Sequence, residues 1–301
     1  MIGRSRGDKI FDAVNSAVLA VLLLIVAYPL YFVVIASVSS PASVNSGEVL
    51  FWPRGFNLTG YIFVFKDKML WQGYLTTIIL TVVGTLVNLA LTFTGAYALT
   101  KTHLPGIRVI MFLFTFTMFF SGGMIPSYIL VSRLGLRDTL WSMILPGAVS
   151  VYNLILVRTY MLRNIPQEVT DAARIDGCSE WRLFCFITIP LSMPIVATMA
   201  LFYGVGHWNQ FFAALLYISD QKLYPLQLVL RNLLLAGQNA MTDMISGGSG
   251  GMDPQYISDL MQRAEILKYA VIIVATLPIL AVYPFLQKYF VKGIMAGSLK
   301  G

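Results

Sequence analysis

The chain has 301 residues, of which 57% are hydrophobic and only 12% charged, with a mean hydropathy of +0.74. Soluble domains carry roughly 25% charged residues, so this composition excludes an ordinary soluble enzyme and indicates a polytopic membrane protein. The net charge of +7 and pI near 9.4 resemble those of a nucleic-acid binder, but on a membrane chain a basic surplus reports orientation, and no nucleic acid is expected as a partner.

A basic start with Arg4, Arg6 and Lys9 precedes an apolar run from about Ala13 to Val38, long enough to span a bilayer with some tilt. The run exceeds the apolar region of a cleaved signal and further spans follow, so it is read as a retained helix, kinked at Pro29. Residues 39–70 form a polar, aromatic loop with Trp52, Pro53, Phe56 and Tyr61, followed by Trp71, and suit the membrane interface. A second span is expected from about Tyr74 to Leu99, with Gly84 and Gly95 as close-packing positions and Asn88 as interhelical glue. After the basic turn Lys101–Arg108, a third span covers about Val109 to Val131, interrupted at Ser121-Gly122-Gly123 and Pro126. A fourth runs from about Leu140 to Leu162 with Pro146 and Gly147 inside it, a fifth from about Leu191 to Ile218, and a sixth from about Ile266 to Leu286.

Between the fourth and fifth spans lies a stretch that hydrocarbon cannot host: Glu168, Asp171, Arg174, Asp176, Glu180 and Arg182 within residues 165–190. Its grammar is two short helices with a hinge. Pro166 opens the first, Glu168 and Asp171 favour the positive end of its dipole, Ala172 and Ala173 give it a close-packing face, and Gly177 supplies a left-handed cap. Ser179 opens the second, carrying Trp181, Leu183, Phe184 and Ile187 until Pro190 and Pro194. Between the fifth and sixth spans, residues 219–265 hold a short amphipathic helix around Leu226–Leu234, a glycine linker at 247–251 and a small helix at 256–265. Six spans place both ends on one side. The loops on that side carry more than half of the lysines and arginines but fewer than half of the acidic residues, so the termini and the 165–190 element are assigned to the cytoplasm.

Chemistry-bearing motifs are few. Phe120-Ser121-Gly122-Gly123-Met124 sits in an apolar span, and with no GxxxxGK[ST] loop in the chain it reads as a helix break and not a nucleotide site. Neither His103 nor His207 has a carboxylate at ligand spacing, so no metal, cofactor or catalytic residue is expected. Cys178 and Cys185 read as packing thiols. His207-Trp208-Asn209-Gln210 concentrates polar and aromatic groups inside the fifth span. Two readings stay open for it: hydrogen bonding between helices, or the lining of a pathway in which rings stack on sugar faces and amides bond hydroxyls. Asn153 in the fourth span is a weaker candidate of the same kind. The spans lack the ionisable groups that an ion-coupled secondary transporter needs.

Glu168-Val169-Thr170-Asp171-Ala172-Ala173-Arg174-Ile175-Asp176-Gly177, with Ile189-Pro190-Leu191 and Pro194, resembles the EAA loop of ABC-importer permeases, departing from it only at Val169-Thr170-Asp171. The ending from Gln287 to Gly301 is similar to the tail of MalG-type sugar permeases. Met118–Pro126, Gly206–Phe212 and Leu223–Gln227 resemble the LplC/YtcP branch. The resemblance spans nearly the whole chain and implies an all-α membrane protein, 1–301, with the six-transmembrane-helix type I ABC-importer permease fold. It also implies three kinds of partner besides membrane lipid: a homologous permease subunit, two cytoplasmic ABC ATPases that carry all the hydrolysis, and an extracytoplasmic solute-binding protein facing 219–265. Glu168, Asp171, Ala172, Ala173, Asp176 and Gly177 would form the ATPase-coupling helix; His207, Trp208, Asn209, Gln210 and Asn153 would line the substrate pathway. The implied cargo is an oligosaccharide, including acidic, uronate-containing ones, with a peptide or other solute as the alternative.

Overall fold

The computed structural model describes residues 6–102, 104–245, 267–281 and 284. Among the described residues all regular secondary structure is helical and there is no strand. It gathers into two compact units, residues 1–67 with 230–277 and residues 68–229 with 278–301. The expected glycine linker at 247–251, the small helix at 256–265, the tail from 287 and His103 lie outside the described residues.

In the first unit, helix α1 (Arg6–Ser37) runs without interruption through Pro29. The loop that follows is more structured than its composition suggests. It contains α2 (Pro41–Asn45), capped by the Ser40 hydroxyl, and α3 (Thr59–Lys66). Its backbone is tied to the end of α1: Tyr31 Oη donates to Phe51 O at 2.5 Å, Tyr28 Oη to Leu50 O at 3.2 Å, and Asn57 N to Val38 O at 2.9 Å. Trp52 and Phe56 remain 76% and 71% exposed, which suits rings meant for an interface. Later in this unit, α15 (Leu267–Ala281) begins where the sixth span was expected, and Tyr269 lies edge-on to Phe32 at 6.0 Å.

The second unit is built on α4 (Lys68–Thr100), which begins six residues before the expected span. Its polar first turn is used: Gln72 Nε2 donates to Lys222 O at 3.2 Å. Gly73, Thr77, Leu80, Gly84, Asn88, Thr92, Ala96 and Leu99 are buried along one stripe, the i, i+4 spacing of a helix seam. Around α4 the expected spans are broken rods. Helices α5 (Ile107–Phe119) and α6 (Met124–Arg133) meet at 113°, so the third span is a sharp reversal where a mere interruption was expected. Gly123, at φ +88°, makes the reversal possible. Helix α7 (Trp141–Ile144), with a 3₁₀ turn at Leu145–Gly147, meets α8 (Val151–Asn164) at 55°.

The charged stretch forms α9 (Gln167–Ile175) and α10 (Glu180–Leu183), which continues through a π turn at Phe184–Thr188 into α11 (Ile189–Leu191). An 82° bend at Ser192 then leads into α12 (Met193–Trp208). The fifth span is therefore shorter than the expected 191–218, because Asn209–Phe211 breaks it and α13 (Phe212–Tyr217) follows as a separate piece. Helix α14 (Leu226–Ile245) is longer than the amphipathic helix expected there, and its first turn is pinned by Leu226 N donating to Thr77 Oγ1 at 2.8 Å. The core seals α4 against α8 and α12 with Phe93, Leu99, Leu154, Val157, Met161, Ile195 and Met199. The reversals occur where glycine, proline and amides release the backbone; neighbouring helices and a cavity then have to re-satisfy it.

Candidate functional site

Three of those breaks converge on one cavity of about 640 Å³. Ser121, Gly123 and Met124 come from the α5–α6 reversal, Pro146 and Gly147 from the α7–α8 bend, and Gln210 and Phe212 from the gap after α12. Irregular backbone at membrane depth persists only where protein buries it or a cavity hydrates it, and discontinuous helices build transporter sites in this way. Among the described residues no Asp, Glu, Lys or Arg lines the cavity; hydroxyls, amides and the rings of Phe202, Tyr203, Phe212 and Tyr217 stand there among aliphatic side chains such as Met124, Met143 and Leu216.

A chain of hydrogen bonds fixes its wall. Asn88 Nδ2 donates to Gly147 O and Ala148 O, both at 3.0 Å, holding the end of the 3₁₀ turn against α4. His207 Nε2 lies 2.9 Å from Asn88 Oδ1, and Nδ1 lies 3.2 Å from Gln210 Oε1. Gln210 Nε2 donates to Met143 O at 2.9 Å, closing the circuit onto α7. Gly84 makes room for the imidazole, since a Cβ there would sit 2.5 Å from Nε2. Below it the Thr92 and Tyr203 hydroxyls meet at 2.8 Å, and Ser150 N, at the start of α8, donates to Tyr203 Oη at 3.4 Å.

Of the five pathway candidates, His207 and Gln210 line this cavity and the other three do not. Trp208 is buried, edge-on to Tyr74 at 6.1 Å, against a separate apolar hollow. The Asn209 side chain caps its own helix by donating to Val205 O at 3.0 Å. Asn153 is buried in α8, and its backbone N–H is capped by the Ser150 hydroxyl. Sequence reasoning missed Ser121, Ser127, Ser142 and Tyr217 as cavity residues. The breaks at Ser121–Gly123 and at Pro146–Gly147 were legible, but the one after Trp208 and the convergence of all three were not.

The charged element is the second feature. Helix α9 ends in a complete Schellman motif: Gly177, at φ +76°, donates to Arg174 O at 3.0 Å, and Cys178 N donates to Ala173 O at 2.9 Å. Ser179 then caps α10 through the Arg182 N–H at 3.4 Å. Ala173, Leu183 and Phe184 are buried beneath the element, whereas Trp181, on the same short helix as Leu183, is 67% exposed with its ring 5.6 Å from Phe184. Glu168, Asp171, Ala172, Asp176 and Gly177 all face outward. Ile175 stands 87% exposed at the end of α9.

Glu180 ties the two short helices to α4. It accepts from Tyr97 Oη at 2.5 Å, pairs with Lys101 Nζ at 2.9 Å, and pairs with Arg174 Nη2 at 2.9 Å. The tyrosine hydroxyl, then the Lys101 ammonium and Arg174, hold its carboxyl down at about 2, and the same contact raises Arg174. The Tyr97 ring also rests 5.0 Å from Phe184. This anchor had no signal in the sequence, because its members lie 83 residues apart.

Residues 102–296 match the family described as "Binding-protein-dependent transport system inner membrane component". The chain is similar to "Protein LplC" of Bacillus subtilis (strain 168), with 42% identity over 301 residues, covering 99% of this chain and 97% of that protein. It is also similar to "Polygalacturonan/rhamnogalacturonan transport system permease protein YtcP" of the same strain, 38% identical, covering 98% and 99%. A chain in the crystal structure of a bacterial ABC transporter involved in the import of the acidic polysaccharide alginate matches with a TM-score of 0.84 and 31% identity, over 96% of this chain and 100% of that one. The matched segment contains the charged element and all of the cavity wall except Asn88.

Proposed function

The chain belongs to the binding-protein-dependent transport system inner membrane component family, and from that premise we propose that it is the permease subunit of an ABC importer carrying oligosaccharides into the cytoplasm. The observation that carries the substrate class is the cavity where three helix breaks meet: hydroxyls, amides and rings set among aliphatic side chains, with no charged side chain among the described residues. Rings stack on sugar faces and amides bond hydroxyls. The similar proteins, one a polygalacturonan/rhamnogalacturonan permease and one from an alginate importer, support the same class.

In this reading the subunit sits in the bacterial cytoplasmic membrane beside a homologous permease, with two ATPases below it and a solute-binding protein outside. Helix α9 is the coupling helix, its outward face of Glu168, Asp171, Ala172, Asp176 and Ile175 seated on one ATPase. Closure of the cassettes moves α9, and the Glu180 anchor passes that displacement to the cytoplasmic end of α4. The seam of α4 meets the cavity at Asn88, so a rigid-body shift of α4 changes the cavity wall. The chain itself performs no hydrolysis. The test is reconstitution of the four-component complex in proteoliposomes with oligosaccharides of galacturonate, alginate and arabinose. ATP-dependent uptake of one of them supports the reading; uptake of peptides alone refutes the substrate class.

A further inference from the structure

The hydrogen-bond circuit around His207 is one proton short. Backbone carbonyls, which only accept, close it at both ends: Gly147 O and Ala148 O take the two amide hydrogens of Asn88, and Met143 O takes one from Gln210. Each amide must therefore turn its oxygen toward the histidine. Two carbonyl oxygens then face the two ring nitrogens, at 2.9 Å and 3.2 Å, while a neutral imidazole has a single N–H. An imidazolium would satisfy both, but among the described residues no carboxylate lines the cavity to balance a buried charge. The proton belongs on Nε2, where the contact is shorter. Nδ1 and Gln210 Oε1 are left with lone pairs directed at each other, at the edge of a cavity both residues line.

We propose that this pair is a hydroxyl-reading position: a cargo O–H donates to His207 Nδ1 and Gln210 Oε1 and supplies the missing hydrogen. The inference rests on the cavity being the transport path. It defines what this subunit selects. A carboxylate, which only accepts, would bring further lone pairs to a place already crowded with them, so an acidic sugar must present a hydroxyl edge here and hold its carboxylates elsewhere. Gly84 sets the position, since the ring reaches Asn88 only because position 84 has no side chain.

The experiment is nitrogen-15 histidine NMR on the reconstituted complex, with the His207 signals assigned by their loss in His207→Phe, before and after addition of whichever galacturonate, alginate or arabinose oligosaccharide the same vesicles import. The expected result is a neutral Nε2–H ring at pH 7 whose Nδ1 resonance moves to the hydrogen-bonded-acceptor position when cargo saturates. An imidazolium at pH 7, or an Nδ1 resonance unmoved by a cargo that is imported, overturns the proposal. A complex that imports none of the three overturns the reading beneath it, and the site falls with it. Gln210→Glu provides a separate check by filling the gap with a charge that protonates the ring. Its uptake should fall at least tenfold with the subunits still co-purifying, and wild-type uptake would refute the site.

Discussion

Adding one methyl group at Gly84 should dismantle the link between α4 and α12. A Cβ there would lie 2.5, 2.7 and 2.8 Å from His207 Nε2, Cε1 and Cδ2. The obstacle is a buried ring held by its hydrogen bond to Asn88, so it cannot swing aside as a flexible chain end would. To restore ordinary contact the ring must retreat by roughly 1 Å, enough to stretch the 2.9 Å contact to Asn88 past hydrogen-bond range. Overpacking of this kind costs about 1–3 kcal/mol, and interhelical hydrogen bonds in membranes average about 0.6 kcal/mol each. The clash therefore dominates, and the total comes to about 2–4 kcal/mol. Gly204→Ala is the internal control on the facing helix, because its Cβ would meet only Thr85 Oγ1 at 3.7 Å and Thr81 Cγ2 at 4.0 Å. Thermal unfolding of the detergent-solubilised complex should show Gly84→Ala lowered by about 5 °C or more, with uptake reduced, and Gly204→Ala unchanged. Equal melting and equal uptake in the two variants would refute the packing argument.

Other perturbations act on the charged element and the turn after α6. Glu180→Gln should speed amide exchange across α9 by about 1.5–5-fold, the worth of an exposed ion pair, and a rate identical to wild type would mean that the anchor holds nothing. Because the Glu180 carboxyl is depressed to about 2, its contribution is complete above the ordinary value of 4.5 and disappears as pH falls toward 2; acid-induced loosening of α9 should be confined to that window. Gly177→Leu forces a left-handed conformation that costs about 1–2 kcal/mol and should abolish uptake while the chain still inserts, as should Glu168→Lys, which puts a cation at the positive end of α9. Wild-type transport in both would count against α9 as a coupling helix. Asp138, at φ +54°, accepts from Ser219 N and Asp220 N, which lowers its pKa below the ordinary 3.8. The cap should therefore loosen only below that value, and Asp138→Asn should remove the acid dependence of exchange at Ser219.

The sequence made local chemistry legible and left long-range assembly hidden. Gly177 as a left-handed cap, Ser179 as the start of α10 and the break at Gly122-Gly123 all follow from what those residue types do to their own backbone, and the structure has each of them. Composition indicated a polytopic membrane chain for the same reason: hydropathy is a local sum. The sharp reversal after Phe119 was not legible, because a glycine pair marks a break without giving its angle. Trp208 and Gln210 lie two residues apart and carry similar sequence signals, yet one meets an apolar hollow and the other the polar cavity. Helical phase at a helix end decides which, and Asn209 ends the helix between them. The Glu180 anchor and the His207 circuit join residues up to 119 positions apart, so only the packed fold brings them together.

In the proposed reading, α9 faces the cytoplasm and carries the force of a partner's ATP hydrolysis. Ile175→Cys, with Cys178 and Cys185 replaced by serine, puts a single thiol at the exposed tip of that helix. A short bifunctional cross-linker applied to inside-out vesicles of the assembled complex should join this thiol to an ATPase subunit, and an impermeant thiol reagent applied to the outer face of intact cells should leave it unlabelled. Labelling from outside, or an assembled complex in which the thiol joins no ATPase, would contradict the account.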